Sequence, residues 1–184
     1  NAAPQNKPLI ATFDEDGLPY STDHLSSSFM KNNIPTLAEM TSKAISQMKD
    51  HKNGFVMQVE AGKVDWAAHG NDISGLLYDQ LALDDAVKIA MDFAQKDGNT
   101  LVVITSDHGN ANPGLIYGKN VNNNFDRIQL FSQTNEWILQ GLNPTDSIST
   151  IKNRIAQANA GIAVTEDQAK EIQSYYAKAK MEDG

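Results

Sequence analysis

Two apolar runs frame a long helical pattern, and that order constrains the fold more than any other feature of the sequence. Phe55 to Glu60 reads FVMQVE, and Thr100 to Ser106 reads TLVVITS. Between them, Leu76, Leu77, Gln80, Leu83, Val87, Ala90, Met91 and Ala94 recur at intervals of three and four, which predicts a helix from Gly75 to about Lys96. Strand, long helix, strand is a crossover unit, and such units join parallel strands in a sheet covered by helices. The expected fold class is therefore α/β with a parallel-sheet core.

The flanking sequence extends this reading. KPLIATF, starting at Lys7, predicts a further strand, with turn residues in DEDG behind it. Residues 19–33 lack a period and read as a loop. Leu37, Met40, Ala44, Ile45 and Met48 share a helical face behind Pro35. After Asn122 the pattern is helical. One helix is expected over 126–141, stopped by Gly141. A second has Asp146 or Ser147 as N-cap, and a third opens with a Thr165–Gln168 capping box. The expected division is a linker or cloning scar over 1–6, a partial α/β core over 7–121 and a helical segment over 122–184.

Composition narrows the function classes. The 184 residues are 40% hydrophobic and 21% charged, which is globular composition. A net charge of −8 disfavours a nucleic-acid surface. With no cysteine, thiolate metal sites and disulfides are excluded. No run approaches the ~20 apolar residues of a membrane helix. The opening NAAPQNKP carries neither an initiator Met nor a signal peptide.

Both central strands are expected to deliver polar groups to the edge where parallel sheets bind ligands. The first ends at Glu60 and the second at Asp107-His108. Between them, Asp65 and His69 are four apart, so one helical face places their Cβ atoms about 5–6 Å from each other. A carboxylate and an imidazole at that spacing can chelate one zinc. Glu60, Asp65, His69, Asp107 and His108 together exceed what one ion can use, but suit two or three ions, with a carboxylate-rich position for magnesium. Each also has an ordinary explanation: Asp107 as a turn residue, Asp65 and His69 as an exposed helical pair, Glu60 as a solvated strand end.

The stretches GFVMQVEAGKVDWAAHGND and ALDDAVKIAMDFAQKDGNTLVVITSDHGNA resemble the C-terminal part of the catalytic core of alkaline phosphatases. NIPTLAEMTSKAI and KPLIATFDEDGLPY fit in the same order, so the resemblance runs from about Lys7 to Asn112. The tail from about Asn122 is similar to the helical insertion of bacterial members. The resemblance implies that Glu60 is a magnesium ligand, that Asp65 and His69 belong to a first zinc, and that Asp107 and His108 belong to a second. It implies phosphomonoester hydrolysis, in which a serine is phosphorylated and then freed while two zincs stabilise the entering and leaving oxygens. Trp66 falls where some members carry a polar residue that reaches phosphate through water and others an aromatic, so it is expected beside the phosphate site. A periplasmic or secreted location in a bacterium and a homodimeric or self-associating state are implied as well.

The sequence departs from the family pattern in what it lacks. The nucleophile stretch T-D-S-A, an early aspartate bridging magnesium and the second zinc, a magnesium threonine and a phosphate-binding arginine have no counterparts. The late histidine of the first zinc would lie beyond Gly184. TDSIS at Thr145 to Ser149 follows the metal ligands instead of preceding them, and reads as a helix N-cap. His24 and His51 read as a loop and a helix-end histidine. The chain is thus expected to be inactive alone, to hold metal weakly or not at all, and to pair with a missing N-terminal half. Two other functions stay open: a cofactor-independent phosphoglycerate mutase of the same superfamily, favoured by TSDHGNAN, and a metal-binding or interaction domain without catalysis.

Overall fold

The computed structural model describes residues 8–110, 112–114 and 118–182, the last six by backbone alone. The linker or scar expected over 1–6 lies outside these residues. Among the described residues every regular element is a helix and none is a strand. The expected α/β class with a parallel-sheet core is therefore corrected. Residues 55–60 and 101–106 carry no regular secondary structure, and neither makes a backbone hydrogen bond to a neighbouring segment. A strand exists only by pairing, and the described residues supply no partner backbone. Only one side of each run is covered: Phe55 and Met57 are half-buried, with the Phe55 ring 6.0 Å from that of Phe93. Val56, Leu101 and Val103 stay 96%, 85% and 73% exposed. Residues 8–13 likewise form no strand.

The long helix is the spine. It spans Ile73–Asp97 (α5), about 37 Å at 1.5 Å per residue. Asp72 caps its start by accepting from Gly75 N at 2.8 Å, and Gly98 ends it with φ 71°, a conformation glycine adopts without penalty. Three helices lie against it: Ser21–Ser26 (α1), Leu37–Met48 (α3) and Gly62–His69 (α4). Ser28–Asn33 (α2) follows α1 directly. α3 begins with a reciprocal capping box: Thr36 Oγ1 accepts from Glu39 N, and Glu39 Oε2 accepts from Thr36 N. α4 packs through alanine. Ala67 is fully buried, and a Cβ added at Gly75 would approach the Ala67 Cβ to 3.1 Å, so that crossing is tight and leaves little room for a side chain.

The remaining helices are Val121–Ile128 (α6), Asn135–Gln140 (α7), Ile148–Ala158 (α8) and Glu166–Glu182 (α9). Ile138, Leu142, Ile151, Ile155, Ala158 and Ala169 form a second core, with Ile151 only 1% exposed. Arg154 of α8 closes the end of α7: its guanidinium donates to the carbonyls of Ile138 and Trp137 and lies 3.6 Å from the Trp137 ring. It occupies the space that a side chain at Gly141 would need. Ser147 caps α8, and Thr165 with Gln168 opens α9, both as the sequence indicates.

Two local expectations fail for one reason. The single helix expected over 126–141 is two, and the loop expected over 19–33 holds α1 and α2. In both places long-range hydrogen bonds to carboxylates override local pattern. Asp23 accepts from Thr134 N at 2.8 Å and from Thr134 Oγ1 at 2.6 Å, which makes Thr134 a helix start and not a helix interior. Asp72 also accepts from Asn135 N. Asp79 accepts from Ser21 Oγ at 2.8 Å and from Ser21 N at 3.3 Å, holding the start of α1.

Burial pushes Asp79 up to about 6, against the pull of its Ser21 hydrogen bonds and of Lys63, and pushes Asp23 in the same direction. A folded-state value above the ordinary 3.8 means that ionised Asp79 opposes folding. Its contribution is complete below about pH 4 and is lost as pH rises through about 6. Asp79→Asn removes this titration. The stability of the wild type relative to the variant should therefore rise by about 2 kcal/mol between about pH 7.5 and about pH 4, read from urea unfolding at each pH. A difference that stays constant would contradict the assignment. In the second core, Ile151→Ala should cost about 2–5 kcal/mol in the same measurement. A loss under about 1 kcal/mol would show that Ile151 is not packed as described.

Candidate functional site

α4 presents two faces. Ala67 and Ala68 are buried against α5, and Asp65, Trp66 and His69 look outward. The four-residue spacing brings His69 Nε2 to 3.4 Å from Asp65 Oδ1. The segment after residue 100 reaches the same place. Thr100 Oγ1 is anchored on Asp97 Oδ2 at 2.6 Å, and the chain then runs without regular structure to Asp107. Asp107 Oδ1 accepts from His108 N at 3.0 Å, the local turn chemistry of an aspartate, and Ser106 Oγ donates to His108 O. His108 Nε2 then lies 3.7 Å from Asp107 Oδ2 and 3.8 Å from Asp65 Oδ1. The two imidazole rings are 6.4 Å apart.

Asp65, His69, Asp107 and His108 thus gather around one surface point, from two segments about forty residues apart in sequence. Glu60 stands apart from them. It has no hydrogen bond or ion pair to the four, and instead lines a cavity of about 550 Å³ with Leu18, Lys63, Trp66 and Asp79. Trp66 is 45% exposed, and Lys63 Nζ sits 3.6 Å from its ring centroid and 4.5 Å from that of Tyr20. Burial among these groups lowers the Lys63 ammonium below its usual range. The Lys63 contacts are absent from the sequence reading. A lysine at a helix start gives no sign of which rings will cover it.

The donor set can be compared with what zinc requires. A tetrahedral ion with bonds of about 2.0–2.1 Å separates its ligand atoms by about 3.4 Å. The Asp65–His69 pair has that separation, and the Asp107–His108 pair is slightly wider at 3.7 Å. Both pairs are solvent-accessible and combine an imidazole with a carboxylate, ligand types that suit zinc. Among the described residues, however, no three acidic or histidine side chains are arranged to hold one ion. Each pair fits zinc as two ligands of a larger set.

The other histidines are elsewhere. His24 is not in a loop, as its sequence context suggests. It lies in α1, buried, with Nε2 at 2.9 Å from the Ile34 carbonyl oxygen. His51 is exposed beyond the end of α3. One contributor was not foreseen. Asn110 Nδ2 donates to Asp65 Oδ1 at 3.0 Å. Its sequence setting, between Gly109 and Ala111, reads only as a turn.

Comparison with known proteins places the chain in a family. The family profile for alkaline phosphatase matches residues 1–182. The chain is 40% identical over 100 residues to alkaline phosphatase 3 of Bacillus subtilis, covering 54% of this chain and 20% of that protein. It is 30% identical over 159 residues to the alkaline phosphatase of Escherichia coli, covering 73% of this chain and 34% of that protein. The crystal structure of Thermus thermophilus alkaline phosphatase superposes with a TM-score of 0.75 at 29% identity, over 83% of this chain and 32% of that one. The chain therefore spans between a fifth and about a third of the length of these relatives. It belongs to the alkaline phosphatase family.

Proposed function

We propose that this chain is the metal-binding part of an enzyme that hydrolyses phosphomonoesters through a phosphoserine, and that alone it does not turn over substrate. The observation that carries the reading is the convergence of Asp65, His69 and His108 within 3.8 Å of one carboxylate oxygen, in a member of this family. Asp65 and His69 are the ligands of one zinc, Asp107 and His108 of a second, and Glu60 of magnesium. When bound, these metals supply Lewis acidity toward the phosphoryl group. The chain's own residues orient them: α4 fixes Asp65 and His69 on one face, and the turn at Asp107 directs His108 toward them. Each zinc pair falls short of the three protein ligands usual for catalytic zinc, so metal is held weakly by this chain. Trp66, next to Asp65 on α4, borders the phosphate position.

The inactivity of the isolated chain follows from its serines. Ser147, in the only T-D-S stretch, accepts from Thr150 N at 3.1 Å and shares hydrogen bonds with the hydroxyls of Ser149 and Thr150. It is a helix cap whose hydrogen bonds, among the described residues, include none to a histidine or carboxylate, and an unactivated hydroxyl is a poor nucleophile. The nucleophile and the phosphate clamp come from the missing N-terminal half of the enzyme, which is the chain's principal partner. Exposed Val56, Leu101, Val103 and Ile104 also favour self-association. Among the described residues no helix is long and apolar enough to cross a membrane. A periplasmic or secreted setting accords with the bacterial relatives. Those relatives are alkaline phosphatases, which favours this reading over a phosphoglycerate mutase or a domain without catalysis.

The test is hydrolysis of 4-nitrophenyl phosphate at alkaline pH with added zinc and magnesium. The pure chain should give a background rate, and mixing with a separately expressed N-terminal half should raise it. In that mixture His108→Ala or Asp107→Ala should lower the rate by at least about 100-fold, the scale on which loss of a group that stabilises transition-state charge is felt. Turnover by the pure chain that depends on Asp107 would contradict the proposal.

A further inference from the structure

Asp65 Oδ1 has three neighbours that carry nitrogen: His69 Nε2 at 3.4 Å, His108 Nε2 at 3.8 Å and Asn110 Nδ2 at 3.0 Å. Only the Asn110 contact has ordinary hydrogen-bond length. Chemistry separates them further. An imidazole that ligates a metal must offer its lone pair, so neither histidine nitrogen can also serve as a lasting donor to Asp65. A primary amide has no such conflict. It is uncharged, always a donor, and a poor competitor for zinc.

We propose that Asn110 is a positioning residue, whose amide holds Asp65 Oδ1 and so registers the Asp107–His108 turn against α4. The proposal rests on the metal-binding reading given above. Topology gives this hydrogen bond its leverage. Among the described residues, no other hydrogen bond joins the 100–110 segment to α4, and that segment makes no backbone pairing that would fix it independently. Asn110 lies two residues past His108, so placing its amide on Asp65 sets the distance between the two half-sites. A carboxylate oxygen has two lone pairs, so Oδ1 can accept from the amide and still face a metal beside His69 Nε2, 3.4 Å away. Partners of this kind, which hydrogen-bond a ligating carboxylate, typically alter metal affinity 10- to 100-fold when removed.

Two measurements on the whole chain test this. The first is metal-independent. The side-chain amide signals of Asn110 in a 15N-labelled sample should shift on Asp65→Ala, whereas the amide signals of Asn53 and Asn159 should not. Asn110 signals that ignore Asp65→Ala overturn the inference. The second is zinc competition against a chromophoric chelator. Asn110→Ala should weaken zinc binding about 10-fold or more while leaving the melting temperature of the metal-free chain unchanged, because Asn110 is exposed. Equal affinity in wild type and variant overturns the inference and leaves the metal-binding reading standing. Wild-type chain with no saturable zinc binding even at millimolar metal overturns the metal-binding reading, and the amide shifts then decide the Asn110–Asp65 contact by themselves. A fall in melting temperature with affinity unchanged assigns Asn110 to stability alone and overturns the positioning role.

Discussion

Three buried aspartates hold helix starts across long stretches of sequence, and the arrangement of the helices follows from them. Asp79 of α5 takes the backbone and hydroxyl of Ser21, Asp23 of α1 takes those of Thr134, and Asp72 takes Gly75 and Asn135. A helix start leaves N–H groups unpaired, and a carboxylate satisfies them with charge-assisted bonds while also meeting the helix dipole. That is how short helices such as α1 and α7, each six residues, persist without strong patterns of their own. Desolvation of the carboxylates opposes this, and it shows in the raised proton affinity of Asp79 and Asp23. The second core around Ile151 is thereby tied to the α3–α5 spine through the Asp23–Thr134 and Asp72–Asn135 contacts.

This dependence explains which parts of the fold were legible in the sequence. α5 and α3 were, because their apolar periodicity and caps are local. So were the Thr165–Gln168 box and the Ser147 cap, since both ends of each interaction lie within three residues. α1 and the break between α6 and α7 were not, because an aspartate 58 or 111 residues away holds them, and α2 follows α1 with only a single local cap at Ser27. The apolar runs at 55–60 and 101–106 were misread differently. Their β-branched composition suits a strand, but a sheet is a property of neighbours. The described residues offer those runs only helices on one side and solvent on the other.

The candidate site was legible to the extent that its chemistry is carried by residue type. A carboxylate and an imidazole four apart, and another such pair adjacent, are visible in the letters. Their approach to within 3.8 Å is not, and it does not require the sheet that the sequence suggested. α4 and the turn at Asp107 bring the pairs together, with Asn110 between them. Asn110 was passed over because asparagine between glycine and alanine signals only a turn. Glu60 has the residue type of a metal ligand, and it lines the neighbouring cavity with Lys63 and Trp66, contacts that its place in the sequence does not announce.

The central claim is that His69 and His108, of the four histidines in the chain, form the metal end of this molecule. Paramagnetic broadening reads it directly, and it tolerates weak binding. Cobalt(II) titrated into a sample with 13C-labelled histidine rings should broaden the signals of His69 and His108 together at the lowest metal concentrations. His24, locked to the Ile34 carbonyl, and His51, beyond α3, should keep their line widths. Broadening that begins at His51, or that affects His69 without His108, would contradict the account.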